Sequence, residues 1–198
     1  TLFSTAGHPW KPKPASRDVR DRLILDARVR FYGDSIAVVV AIDELTAKKA
    51  VSLIKVEYEE YEVLVDPIKA QEEGKPLLHE GFPKNILGYS KHEDENYAKA
   101  WASGSKHFEG EYSIDPVFHG HIEKAVCYAY LDEYERVNIF SPIQVPHLAL
   151  HIVAEALEIP EQRIRIVKPN IGGSFGNKQD VLFEPLVGFL ALKLAGRK

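Results

Sequence analysis

Lys168-Pro169-Asn170-Ile171-Gly172-Gly173-Ser174-Phe175-Gly176-Asn177-Lys178-Gln179-Asp180 is the stretch on which the reading of this chain turns. The alternating segment before it, Arg163–Val167, suits a strand, and Leu182–Leu194, with Pro185 near its start, suits a helix. Glycines between strand and helix permit positive φ and let the backbone approach a ligand closely. Successive N–H groups and the next helix N-terminus favour an anionic oxygen, either of a phosphate or of a metal-bound oxo group. The stretch is no Walker loop, because Lys178 is followed by Gln179 rather than Ser or Thr, and no G-x-G-x-x-G in a βαβ setting. On pattern alone, a structural turn and an anion or cofactor loop both remain open.

Upstream, Arg136–Phe140 reads as a strand and residues 146–158 as a helix, with Pro146 in its first turn. Leu148, Ile152, Val153, Ala156 and Leu157 give that helix one apolar face. Gln144 falls at the junction, where polar side chains often face a cleft; a lone Gln there can equally be a surface or capping amide. Strands are expected at 106–114 and 118–131, with a turn at Asp132-Glu133. His119, His121 and Glu123 alternate along the second of these and would share a face, a spacing that could hold zinc. A solvated strand face explains them as well. Cys127, on the same face, reads as a small core residue.

The N-terminal half carries a different pattern. Residues 1–28 are rich in Pro and charge, with Pro9, Pro12 and Pro14 close together, and read as an irregular arm. Val29 to Asp43 reads as a strand region with a turn at Gly33-Asp34, and Asp43 can cap a helix over Glu44–Ile54. Lys55 to Val65 alternates as a second strand, and Asp66-Pro67 breaks it, opening a short helix through Glu73. Glu57, Glu59, Glu60 and Glu62 read as a solvated strand face. Residues 74–105 turn loop-like, so a boundary is expected near 90–105.

Composition excludes several classes. With 25 basic against 29 acidic residues and a net charge of -4, nothing argues for nucleic acid or an anionic membrane surface. The longest apolar run, Ile36–Ile42, suits a buried strand and is too short to span a bilayer. A single cysteine excludes a disulfide framework and a Cys-rich metal site, and fits a reducing cytoplasm. The chain opens at Thr1 and stops after Ala195-Gly196-Arg197-Lys198, which reads as a piece of something longer.

The order of these elements resembles the xanthine dehydrogenase/aldehyde oxidase family. Ser141-Pro142-Ile143-Gln144, then Leu157-Glu158-Ile159-Pro160, then the stretch quoted first carry the likeness, as does the separation of Gln144 from Phe175. Upstream, Gly33-Asp34-Ser35-Ile36-Ala37-Val38-Val39-Val40, Ala47, Ala50 and Val56-Glu57-Tyr58-Glu59 resemble that family's hammerhead domain. Among its members the likeness is to bacterial molybdenum subunits that carry Gly-Asn-Lys-Gln-Asp. The fold implied is α+β: the end of an α/β hammerhead domain (29–90, after the arm at 1–28), followed by the first part of the molybdenum-cofactor-binding domain (105–198).

The resemblance also implies a chemistry. A molybdenum held by a pterin dithiolene, in its cytosine dinucleotide form, hydroxylates a purine-like heteroaromatic beside a ring nitrogen with oxygen from water. Electrons pass through [2Fe–2S] clusters and FAD, in partner subunits or domains, to NAD. Gln144 resembles the amide that hydrogen-bonds the molybdenum oxo group, so it is the implied catalytic residue. Gly172, Gly173, Ser174, Phe175 and Gly176 resemble the cofactor loop, Phe175 and Gly176 lying beside the metal. Two departures are visible. Ser174 stands where a third Gly is commonest, and Gln179 stands where mammalian-type members carry a substrate-contacting Glu. The family's general base, a Glu far C-terminal of this region, has no match here, so the chain alone is expected to be inactive. The remainder of its own chain would be a partner. Two rival readings are a stand-alone metal- or small-molecule-binding module built on His119, His121 and Glu123, and a non-enzymatic paralogue.

Overall fold

The structure, a computed structural model, describes residues 1–5, 19–89 and 91–195. Pro9, Pro12 and Pro14 of the irregular arm, and the closing Gly196-Arg197-Lys198, lie outside the described residues.

The organised centre is a mixed three-stranded sheet with two helices against it. Strands β1 (Tyr128–Leu131) and β2 (Val137–Phe140) form an antiparallel hairpin, pairing Tyr128 with Phe140 and Leu131 with Val137. The expected turn at Asp132-Glu133 closes it. One carboxylate oxygen of Asp132 accepts the N–H groups of Tyr134 and Arg136, both at 2.9 Å. The other accepts Arg136 Nε at 2.9 Å and Asn138 Nδ2 at 3.1 Å.

From β2 the chain crosses through helix α3 (Pro146–Leu157) to β3 (Ile164–Val167), which pairs parallel to β2 with Ile139 opposite Ile166. Pro146 sits in the first turn of α3, where its missing N–H costs nothing. Helix α4 (Glu184–Lys193) packs on β1, β2 and α3, while α3 packs on β3. Val137 and Ile139, two apart on β2, point the same way and are fully buried. With Ile143, Ala149, Ile152, Val153, Ile164 and Val181 they make the core. Gly188 of α4 lies against it, and a Cβ there would stand 3.0 Å from Leu157 Cδ1 and 3.3 Å from Ile139 Cδ1. The first residues join this core: Phe3 is buried in it, bridges to Arg22, and Val181 N–H donates to the Thr5 carbonyl at 3.1 Å.

The rest is only partly as the sequence suggests. Helix α1 (Glu44–Ser52) forms, with Asp43 accepting Thr46 N–H at 2.7 Å as its N-cap. The short helix expected after Pro67 is a single 3-10 turn, Lys69–Gln71, capped by the Asp66 carboxylate. The strands expected at 29–43, 55–65, 106–114 and 118–127 are not strands: these segments enter no β-ladder among the described residues. An alternating pattern supplies the extended backbone, but a ladder also needs a neighbour for its N–H and C=O groups. Val56, Tyr58, Val63 and Val65 accordingly stand exposed. Conversely, α2 (Tyr97–Ser103) lies inside the stretch read as loop. It is only seven residues long, and Trp101 stacks on His107 with ring centroids 4.2 Å apart. No helix among the described residues is long and apolar enough to cross a membrane.

Candidate cofactor-binding site

Because β2 and β3 run parallel, their carboxyl ends lie at one end of the sheet, tied together by Ser141 N–H donating to Val167 O at 3.1 Å. The segment leaving β2 carries Gln144 and the segment leaving β3 carries the glycine loop. Open α/β sheets place ligands at this end.

The two segments touch directly. Gln144 N–H donates to the Lys178 carbonyl at 2.8 Å. The Ser174 hydroxyl donates to Gln144 Oε1 at 2.9 Å and accepts Lys178 N–H at 3.1 Å. Ser174 is buried, whereas Gln144 is exposed, and its Nε2 has no protein partner among the described residues.

The loop backbone is held from the other side by residues 121–123. Glu123 Oε2 accepts Gly172 N–H at 2.9 Å, and Glu123 N–H donates to Gly172 O at 3.2 Å. The approach is so close that a Cβ on Gly172 would fall 2.6 Å from Glu123 Cβ, which explains the glycine. Lys178, only 3% exposed, sets its ammonium 2.5 Å from the same Oε2. That ammonium, then the Gly172 N–H, holds the Glu123 carboxyl below the usual glutamate range. Asn177 Nδ2 lies 2.9 Å from His121 Nε2, and His121 Nδ1 lies 2.6 Å from Glu123 O.

Between these anchors the loop is open. Phe175 adopts φ 53° and is 73% exposed, and Gly176 adopts φ 96° with nothing within 4 Å of where a Cβ would sit. The N–H groups of Gly173, Phe175 and Gly176 meet no acceptor among the described residues. Free N–H groups in a turn of positive φ, beside the free amide of Gln144, suit a ligand that offers several acceptor oxygens. Gln179 is exposed at the rim, its N–H donating to Gly176 O at 3.2 Å.

The zinc reading of His119, His121 and Glu123 is corrected here. Among the described residues no cluster of His, Cys, Asp or Glu could hold a metal ion. His121 Nε2 meets Asn177, His121 Nδ1 meets Glu123 O and Glu123 Oε2 meets Gly172 N–H, and the strand that would have aligned all three is absent. The clamp formed by Glu123 and Lys178 was not visible in spacing, since a charged pair so far apart in sequence leaves no local pattern. Nor was Glu184, which is buried and accepts the Ser141 hydroxyl at 2.5 Å and Leu182 N–H at 2.8 Å. Cys127 is half-buried; burial first, then the charge of Glu184, pushes its thiol up to about 12, so it is not a reactive thiolate.

Comparison with known proteins supplies the identity of the ligand class. Residues 4–62 match the aldehyde oxidase and xanthine dehydrogenase a/b hammerhead domain, and residues 78–198 match the molybdopterin cofactor-binding domain. The chain belongs to the xanthine dehydrogenase/aldehyde oxidase family of molybdenum hydroxylases, hammerhead portion first and cofactor-binding portion second, as the resemblance implied. It is 39% identical over 194 residues to a putative xanthine dehydrogenase molybdenum-binding subunit of Escherichia coli, covering 98% of this chain and 26% of that one. It is 31% identical over 170 residues to the carbon monoxide dehydrogenase large chain of Afipia carboxidovorans, covering 79% and 21%. Aldehyde oxidoreductase from Desulfovibrio gigas superposes with TM-score 0.80 at 28% identity, over 96% of this chain and 21% of that one. The chain thus spans about a quarter of the length of the curated relatives it matches.

Proposed function

We propose that this chain is the section of a xanthine dehydrogenase-type molybdenum subunit that forms one wall of the active site. The observation that carries the reading is the pairing of a free Gln144 Nε2 with an open loop, Gly172–Gly176, whose N–H groups at 173, 175 and 176 await acceptors. When bound, the molybdenum–pterin cofactor supplies a two-electron oxidation that places water-derived oxygen on a ring carbon next to nitrogen. This chain's residues bind and orient. Gln144 Nε2 and the Gly176 N–H would hold the metal centre's oxygens as donors already in place before charge develops. Gly173, Ser174 and Phe175 shape the cradle, with the exposed Phe175 ring bordering the cofactor. Gln179, at the rim, faces the substrate with an amide that both donates and accepts.

The substrate class is a purine or related N-heteroaromatic, the pterin is the cytosine dinucleotide form, and the cell compartment is the cytoplasm. Electrons leave through [2Fe–2S] and FAD partners to NAD. The 198-residue chain by itself holds no molybdenum and turns over nothing, because it offers a single cofactor-facing wall and no general base. The test uses the full-length subunit with its redox partners, assayed for molybdenum content and for hydroxylation of purines against simple aldehydes. Purine turnover is expected to dominate by at least about tenfold, which is about 1.4 kcal/mol of transition-state discrimination. A fully loaded enzyme that oxidises aldehydes and leaves purines untouched would sink the substrate assignment.

A further inference from the structure

We propose that Ser174 is a positioning residue that fixes which end of the Gln144 amide faces the cofactor. A glutamine amide has two nearly isosteric ends, one donor and one acceptor, and nothing in its own shape selects between them. Here the selection comes from a neighbour. The Ser174 hydroxyl is buried and already accepts Lys178 N–H at 3.1 Å, so its own proton needs an acceptor. Among the described residues it finds Gln144 Oε1, at 2.9 Å. Leaving a buried hydroxyl proton unmet is unfavourable, and turning the amide round would lose that bond. Oε1 is therefore pinned inward, and Nε2 is presented outward as an obligate donor. The neighbours reinforce the arrangement: Gln144 N–H is bound to Lys178 O at 2.8 Å, which fixes the backbone from which the side chain springs. Ser174 thus acts on the cofactor through Gln144.

This rests on the reading of Gln144 as the donor to the metal's oxygen ligands, and the test separates the two. Ser174→Ala, Ser174→Thr and Gln144→Ala are made in the full-length holoenzyme. Molybdenum content, kcat and KM are measured, together with the paramagnetic resonance spectrum of the one-electron-reduced metal. Ser174→Ala is expected to keep its molybdenum and its KM, to lose roughly fivefold in kcat, about the worth of one net hydrogen bond, and to show a second spectral component from the turned amide. Ser174→Thr, which keeps the hydroxyl, is expected to restore both kcat and the single spectrum. If Ser174→Ala matches the parent in rate and spectrum while Gln144→Ala is slowed, the positioning role is overturned and the role of Gln144 stands. If Ser174→Ala loses its molybdenum, Ser174 supports the loop and the inference is again overturned. If fully loaded Gln144→Ala runs at the parent rate, the reading of Gln144 itself fails, and this inference with it.

Discussion

Lys178 Nζ lies 2.5 Å from Glu123 Oε2, an oxygen that also accepts the N–H of Gly172, so one carboxylate fastens both ends of the glycine loop. The lysine is buried, and that carboxylate is its ion-pair partner. Removing the carboxylate charge alone strands an ammonium inside the protein, whereas replacing both members removes the problem together with the bond. Glu123→Gln in the full-length subunit is therefore expected to lower the thermal unfolding midpoint and to reduce bound molybdenum. The double variant Glu123→Gln/Lys178→Met should regain more than half of the lost midpoint. Additive losses in the double variant would show that the two side chains are not coupled.

The hairpin turn gives a pH test with a defined sign. Partial enclosure pushes the Asp132 carboxyl up, but the N–H donors of Arg136, Asn138 and Tyr134 and the Arg136 guanidinium outweigh it and hold the value at about 2, against the ordinary 3.8. A depressed carboxyl contributes stability that is complete above its unfolded value and is lost as the pH falls through the folded one. The stability gap between the parent and Asp132→Asn, from denaturant titrations, should be full above 3.8 and should close as the pH approaches about 2. A gap unchanged across that window would mean the asparagine keeps every bond that matters.

At Gly176 the backbone sets a constraint of its own. No protein atom lies within 4 Å of where its Cβ would sit, so the fold itself offers no clash. The constraint is φ 96°, where an L-residue is strained. Gly176→Ala should cost about 1–2 kcal/mol, and Gly176→Val more, because a β-branched side chain is still less tolerant of positive φ. In the holoenzyme Gly176→Val should empty the cofactor site, while Gln179→Glu should keep the metal and alter only substrate preference. Metal analysis and KM values for a panel of heteroaromatics decide it. The opposite pattern would reverse the roles assigned along the loop.

Gly188 offers a graded packing test away from the site. Alanine there gains roughly 0.8–1.0 kcal/mol of helix propensity, set against moving the flexible tip of Leu157, 3.0 Å away. Gly188→Ala should therefore lie within about 1 kcal/mol of the parent. Gly188→Leu must displace Ile139 and Val137 as well and should cost about 1–3 kcal/mol. A leucine variant as stable as the parent would show that α4 stands further from the sheet than described.

What the sequence disclosed divides along a physical line. Helices α1, α3 and α4 were legible because capping and periodicity are local: Asp43, Pro146 and Pro185 mark their starts within a residue or two. Strands β2 and β3 were legible because apolar residues flanked by turn signals need no distant information. The extended segments at 55–65 and 106–127 have the alternation of strands but pair with no neighbour among the described residues, and pairing is not a property a segment carries by itself. The same holds at the site. Gln144 and the glycines could be singled out by their places at strand ends. That Ser174 turns toward Gln144, and that Glu123 reaches Gly172 rather than a zinc ion, are contacts between distant residues that no spacing records.

The bonds that shape the glycine loop close over 49 to 56 residues of chain, to Glu123 and His121, and both of these precede the loop. Contacts over such separations form late, since chain entropy must be given up before they are made. On the ribosome the order is favourable: residues 121–123 are synthesised before Gly172, so the loop emerges after the segment that holds it. The cradle is then a finishing step of folding, completed by contacts that reach back along the chain.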